Sequence, residues 1–186
     1  MLTYKDKFHL ILKNSEFYLP LTFQKIAHLG LSNISPYLKK DDELKSIFIH
    51  IPKAAGTSLR KSLYGHGSFH VPAIRYKISD SERFNNYFKY AFVRNPWDRI
   101  HSAFNYLTKG TNNDSSFVAH RWVIENLLPI KNFEEFIYML ESPSFQRNIL
   151  TWIHFRPQID WISERSFNNK ANKILVDYIG RFETLN

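Results

Sequence analysis

The chain has 186 residues, an apolar share of 44%, an aromatic share of 16%, no cysteine and a formal net charge of +8. That length fits one domain of ordinary size, and the apolar content supplies a core and excludes a disordered chain. Without cysteine there is no disulfide framework, no thiolate metal site and no need of an oxidising compartment, while the positive charge suits an anionic ligand, a nucleic acid or an acidic surface.

Residues 1–45 read as N-terminal helical elements. The apolar start is interrupted by Lys13, Glu16, Lys25 and His28 and broken at Pro20. Its apolar stretches fall short of the roughly 20 residues that span a bilayer, and no small-residue cleavage site comes after them. The expectation is amphipathic packing on the domain or a partner, with no stable membrane insertion and no signal peptide, in a cytoplasmic setting. "SPYLKKDDELK", residues 35–45, is the most polar connection in the chain.

"SIFIHI", residues 46–51, is apolar on both parities apart from His50, as in a strand covered on both faces of a parallel sheet. A helix is predicted from about Thr57 to Tyr64, with Gly65 placed to end it. "YFKYAFV", residues 87–93, is a second strand, and "RNPWDRIHSAFNYLTKG" comes directly after it. There Asn95 suits the N-cap, Pro96 the first helical position, Asp98 the positive end of the helix and Gly110 the stop. Asn132 with Glu135 makes a capping-box-like start for a further helix. The aromatic segment from Ser142 to Ile162 receives no assignment. "ILVDYI", residues 174–179, is the third strand. Strands alternating with helices predict an α/β fold, three-layer α/β/α and P-loop-like, around a central parallel sheet whose ligands lie outside the carboxyl ends of the strands. A covering helix after the last strand is expected, and the chain stops before one, as a C-terminally truncated domain would.

Two strand-turn-helix junctions carry the chemistry. In the first, Pro52-Lys53-Ala54-Ala55-Gly56-Thr57-Ser58 brings backbone N–H groups and a helix N-terminus to one point, with a lysine charge and two hydroxyls, as proteins do to hold phosphate. It differs from the nucleotide-binding G-x-x-x-x-G-K-[ST] loop. Lys53 precedes Gly56 by three, no glycine opens the turn, and no acidic strand end offers to hold Mg²⁺. In the second, Arg94 stands at the carboxyl end of its strand and Ser102 about two helical turns on, so an arginine and a hydroxyl can meet a terminal phosphate. Taken singly, the first is an ordinary βα turn with an exposed lysine, and in the second Arg94 and Arg99 pair with Asp98 on a solvated surface.

Together, "FIHIPKAAGTSL" and "FVRNPWDRIHSAFNYL" resemble the two cofactor-binding segments of the carbohydrate sulfotransferase superfamily, in the branch that includes heparan sulfate 2-O-sulfotransferase and its bacterial relatives. The common first segment is I-P-K-T-A-G-T-S, and Ala54 stands here for its first threonine. The closing "VDYIGRFETL" is similar to the last strand of that branch, so the resemblance runs from about residue 46 to 186. It implies 3′-phosphoadenosine 5′-phosphosulfate (PAPS) as sulfuryl donor, without a metal. It implies that Lys53, Ala55, Gly56, Thr57 and Ser58 hold the 5′-phosphosulfate and that Arg94 and Ser102 hold the 3′-phosphate. Lys53 is then the expected stabiliser of the leaving phosphate.

A sugar hydroxyl is weakly acidic, so transfer calls for a general base. By resemblance His70 occupies about the place of the branch's catalytic histidine, with His66 close by in sequence. His154, in "HFRPQ", resembles another family segment near the acceptor or the cofactor, and with Arg156 and Gln158 forms the expected substrate-binding set. His50 reads as a core histidine and His101 as a surface one. Trp122, Trp152 and Trp161 offer either sugar-stacking faces or core. A glycan acceptor is expected, and nucleic acid is not a partner: the basic residues form no single stripe and no nucleic-acid motif appears. Three rivals stand beside this reading: a metal-dependent phosphoryl-transfer enzyme, a basic nucleic-acid module, and a sulfotransferase-like domain without activity.

Overall fold

The computed structural model describes residues 35–65, 70–109, 117–164 and 173–185, with only the backbone of 117–120. The elements expected over residues 1–34 lie outside them, as does His66. In chain order the elements are α1 (Lys39–Leu44), β1 (Ser46–Ile49), α2 (Gly56–Tyr64), α3 (Ala73–Ser79), α4 (Ser81–Asn86) and β2 (Phe88–Val93), then α5 (Pro96–Lys109), α6 (Phe117–Asn126), α7 (Phe133–Met139) and α8 (Pro143–Leu150), and finally α9 (Ile159–Ile162), β3 (Ser163–Glu164), β4 (Lys173–Ile174), β5 (Tyr178–Arg181) and a 3₁₀ turn (Phe182–Thr184). The chain divides into two compact units, one holding residues 35–94 and 157–185 and the other residues 95–156.

The first unit is built on a three-stranded sheet in the order β1-β2-β5. Both pairings are parallel: Ser46 lies opposite Phe88 and Ile49 opposite Ala91, then Tyr90 opposite Tyr178 and Val93 opposite Arg181. Ile47, Phe48 and Ile49 are all buried, the two-sided covering that an unbroken apolar run predicts. This is the predicted class, a three-layer α/β/α arrangement with a central parallel sheet and flanking helices. Helix α2 ends where the sequence places its stop: Gly65 takes a φ of 74° and its N–H donates to the Lys61 carbonyl.

The third strand differs from the sequence reading. Residues 174–179 are not one strand, because the chain bends at Asp177. Its N–H donates to the Lys89 carbonyl at 2.8 Å, and its carboxylate accepts from the Lys89 N–H at 2.8 Å and pairs with the Lys89 ammonium at 3.0 Å. A side chain that accepts from the neighbouring strand's backbone replaces a ladder bond, so pairing in the main sheet begins only at Tyr178. Lys173 and Ile174 pair antiparallel with β3 instead.

The second unit is helical. Helix α5 starts where expected, with the Asn95 side chain accepting from the Trp97 N–H at 3.0 Å. At α7, Asn132 accepts from the Glu135 N–H at 2.9 Å, and the Glu135 carboxylate accepts from the Lys131 N–H at 2.7 Å, one residue earlier than in the usual capping box. The unassigned aromatic segment forms α8 and then turns through residues 151–156. The core of this unit joins Phe104, Leu107, Trp122, Leu127, Phe136 and Trp152, with the Trp122 and Trp152 rings stacked at 4.3 Å. Trp161 is buried in the sheet unit. Of the two readings open for Trp122, Trp152 and Trp161, platform or core, all three are therefore core residues, each contributing on the order of 2–3 kcal/mol of burial. Trp97, 74% exposed, is the accessible one.

Candidate active site

Parallel strands deliver their carboxyl ends to the same edge of a sheet, so the segments leaving those ends converge. After β1 comes the turn Pro52–Ala55, after β2 comes Arg94, and after β5 comes Phe182. The Arg94 guanidinium lies over the Phe182 ring, 4.4 Å from its centroid, and its Nη1 makes a long contact of 3.5 Å with the Lys53 carbonyl oxygen. The sheet thus brings a cation from one strand, a lysine turn from a second and an aromatic ring from a third into one cluster.

The turn is held in an uncommon backbone form. Lys53 and Ala55 both have positive φ, 66° and 61°, although neither is glycine. Left-handed non-glycine residues cost on the order of 1–3 kcal/mol each and persist where surrounding structure imposes them, often at functional sites. Ala55 is also the N-cap of α2, and its methyl group cannot accept a hydrogen bond, so no side-chain cap closes the first turn. The first intrahelical bond is Leu59 N–H to the Ala55 carbonyl at 3.3 Å. The N–H groups of Gly56, Thr57 and Ser58 precede that bond at an uncapped, positive helix end, the feature by which helix N-termini attract anions. Thr57 and Ser58 are exposed, so their hydroxyls reach a ligand arriving at that end.

Gly56 is required by packing. A Cβ at this position would fall inside the imidazole of His50. His50 is buried at the end of β1, so its ring rests directly on the Gly56 Cα. The His70 ring lies 4.1 Å from the same His50 ring, centroid to centroid, and its Nδ1 is 3.0 Å from the His50 carbonyl oxygen. His70 is half-buried, and its edge faces the buried Trp161 at 6.1 Å.

Lys53 is also half-buried, and its pKa is held below the ordinary lysine value, first by burial and second by the charge of Arg94. Burial and a neighbouring guanidinium both disfavour the lysine charge, and an anion placed beside it would favour that charge. Arg94 is fixed from behind by Gln158. The Gln158 side chain accepts from the Arg94 N–H at 2.9 Å and donates to the Arg94 carbonyl at 2.7 Å. Both polar groups of the Gln158 amide engage the Arg94 backbone in this clamp.

Of the residues singled out in the sequence, Lys53, Ala55, Gly56, Thr57, Ser58, His70, Arg94 and Gln158 all belong to the sheet unit, and Ser102, His154 and Arg156 to the helical unit. Ser102 is half-buried on α5. The His154 ring lies 5.3 Å from Tyr106, and Arg156 is fully buried with its Nη2 donating to the Thr151 carbonyl at 3.1 Å. His101 is exposed and meets the Asn105 amide at 2.8 Å, a surface contact within one helix. Sequence reasoning missed Phe182 and the closeness of His50 to the site. Alternation on β1 assigns His50 to the core and is silent on which core neighbour it has.

A family model decides what this arrangement belongs to: that of the sulfotransferase family matches residues 36–186, taking in the turn, Arg94 and the last strand. The chain belongs to the sulfotransferase family. No curated protein and no solved structure shows a significant match to it. Membership supports sulfuryl transfer to a hydroxylated acceptor, and sulfotransferases generally use PAPS as the donor. For this sulfotransferase-family chain, the match runs through both compact units. Among its described residues no helix is long and apolar enough to cross a membrane.

Proposed function

We propose that the protein transfers a sulfuryl group from PAPS to a hydroxyl of a carbohydrate, with Lys53 and the N-terminus of α2 at the phosphosulfate and Arg94 at the 3′-phosphate. The observation that carries this reading is the meeting of Lys53, the uncapped start of α2 and Arg94 at one end of the parallel sheet. When bound, PAPS supplies the sulfuryl group: its sulfur–oxygen bond to phosphate breaks as the acceptor oxygen bonds to sulfur, adenosine 3′,5′-bisphosphate leaves, and the hydroxyl proton goes to a base.

The chain's own residues fit that chemistry. Negative charge grows on the leaving phosphate, so an ammonium and aligned N–H donors at that point stabilise the transition state more than the ground state. Arg94, pinned through its backbone by Gln158 and by its face on Phe182, presents a preoriented guanidinium that phosphate can meet bidentately. An open groove of ≈ 520 Å³ runs from Ala55, Ser58, Leu59 and Ser62 to Phe182 and Leu185, beside the turn, and has room for a nucleoside. In this reading His70 takes the proton.

A sugar acceptor is inferred from the resemblance to the branch of carbohydrate enzymes, and the net charge of +8 suits an acidic polysaccharide. The two units act as one sulfotransferase domain, in a bacterial cytoplasm, and the two cationic groups neutralise the donor without a metal. The test is transfer of ³⁵S from labelled PAPS to a panel of polysaccharides, with and without a chelator. Chelator-resistant labelling of a glycan supports the reading. Labelling confined to non-carbohydrate acceptors removes the sugar, and transfer abolished by the chelator removes the metal-free mechanism.

A further inference from the structure

The most informative group outside the expected site is His50, which sequence reasoning consigns to the core. It touches both halves of the machinery at once. Its ring fills the space a side chain at Gly56 would need, so the start of α2 is seated against it. The same ring lies 4.1 Å from the His70 ring, tilted by 44°. Its carbonyl oxygen stands 3.0 Å from His70 Nδ1.

The last contact determines a proton. A carbonyl oxygen only accepts, so the ring nitrogen beside it must be the donor. In neutral His70 the proton is therefore on Nδ1 and the lone pair on Nε2. An imidazole that takes a proton from a hydroxyl must do so at the nitrogen with the lone pair, and the other nitrogen's hydrogen bond decides which one that is. Carbonyl and ring belong to the same residue, immediately before the turn, so the position of His70 and the position of the Gly56 Cα share a single reference.

We propose that His50 is a positioning residue: its carbonyl holds His70 in the Nδ1–H tautomer, and its ring, a wedge packed against both Gly56 and His70, sets the spacing of Nε2 from the anion-binding turn. The consequence for turnover rests on the reading of His70 as the base, whereas the tautomer and the wedge do not. Replacing the His50 ring removes the wedge and leaves the carbonyl. Adding a methyl at Gly56 pushes on the same ring. The two changes act on one contact and should not add.

The test uses the full chain, with ¹⁵N NMR of the histidine rings and with ³⁵S transfer. In the wild type, His70 shows a protonated Nδ1 and an unprotonated Nε2 at a pH where the ring is neutral. His50→Ala shifts the His70 ring signals and lowers kcat at least 10-fold, and His50→Phe, which keeps a flat ring in the wedge, restores most of both. Gly56→Ala also shifts the His70 signals, and Gly56→Ala with His50→Ala is no worse than His50→Ala alone. An Nε2–H tautomer, His70 signals unmoved in His50→Ala, or additive losses in the double variant overturn the proposal. If His50→Ala does not fold, the wild-type tautomer and the Gly56→Ala signals decide. A fully active His70→Ala removes the base reading and leaves the tautomer result standing, so the two failures are told apart.

Discussion

The guanidinium of Arg94 sits 4.4 Å above the ring of Phe182, joining the ends of two neighbouring parallel strands. The ring covers one face of the cation, and its donors are left to point edgewise, the direction in which an arginine meets a phosphate. Arg94→Lys keeps the charge and loses the planar fork and the stacking, so binding of adenosine 3′,5′-bisphosphate is expected to weaken at least about 10-fold. Phe182→Ala should weaken it less, by about 3- to 5-fold, since a partly exposed cation–π contact is worth about 1 kcal/mol. Calorimetric titration of both variants checks the order, and equal affinity in Arg94→Lys and wild type would remove Arg94 from the phosphate.

Gln158 holds Arg94 by one accepted and one donated hydrogen bond. Gln158→Glu can still accept from the Arg94 N–H but sets a carboxylate against the Arg94 carbonyl. The expected cost is about 1–3 kcal/mol of stability, the usual penalty when a half-buried polar group loses its partner. Urea denaturation of the two proteins measures it. A change within a few tenths of a kcal/mol would show that the clamp is not holding the strand end.

Ala55 tests the strained turn. Its left-handed φ of 61° is tolerable for alanine and severe for a β-branched residue. Ala55→Val should destabilise the protein by about 1–3 kcal/mol and loosen nucleotide binding, and Ala55→Gly should leave stability unchanged or slightly raised. Thermal melts of the pair, with and without the bisphosphate, distinguish strain from simple loss of a methyl contact.

Lys53 makes the site pH-dependent with a definite sign. In the unliganded protein its pKa lies below the ordinary value of 10.5, so the unfolded chain binds more protons between the lowered value and 10.5. Stability contributed by this group therefore rises with pH through that window. A bound bisphosphate favours the ammonium and reverses the shift. Binding should take up protons, and affinity should fall as pH climbs through the same window. Calorimetry at alkaline pH in two buffers of different ionisation enthalpy should show uptake in the wild type and none in Lys53→Met.

Much of the fold was legible because local signals agreed. The two-sided apolar run of β1, Asn95 and Pro96 at the start of α5, and Gly65 after α2 each specify a boundary by a local rule, and each boundary stands within a residue or two. The last strand was less legible. "ILVDYI" looks continuous, and only the pairing of Asp177 with Lys89, 88 residues away, reveals the bend. The turn at Lys53 and Arg94 was visible in the sequence as two strand-turn-helix junctions, but their convergence depends on strand order, which a lone sequence does not encode locally. Gln158 and Phe182 act on Arg94 through contacts 64 and 88 residues distant in the chain, and His50 gains its neighbours only when Gly56 and His70 fold against it. Trp122 and Trp152 carried two readings in the sequence, platform or core, and only their packing decides for core.

The most direct measurement is titration of the wild type, Lys53→Ala and Arg94→Ala with adenosine 3′,5′-bisphosphate. Loss of a charge-assisted phosphate contact costs about 1.5–3 kcal/mol, so each variant is expected to bind about 10- to 100-fold more weakly than the wild type while remaining folded. Wild-type affinity in both variants would contradict the assignment of the nucleotide to this end of the sheet.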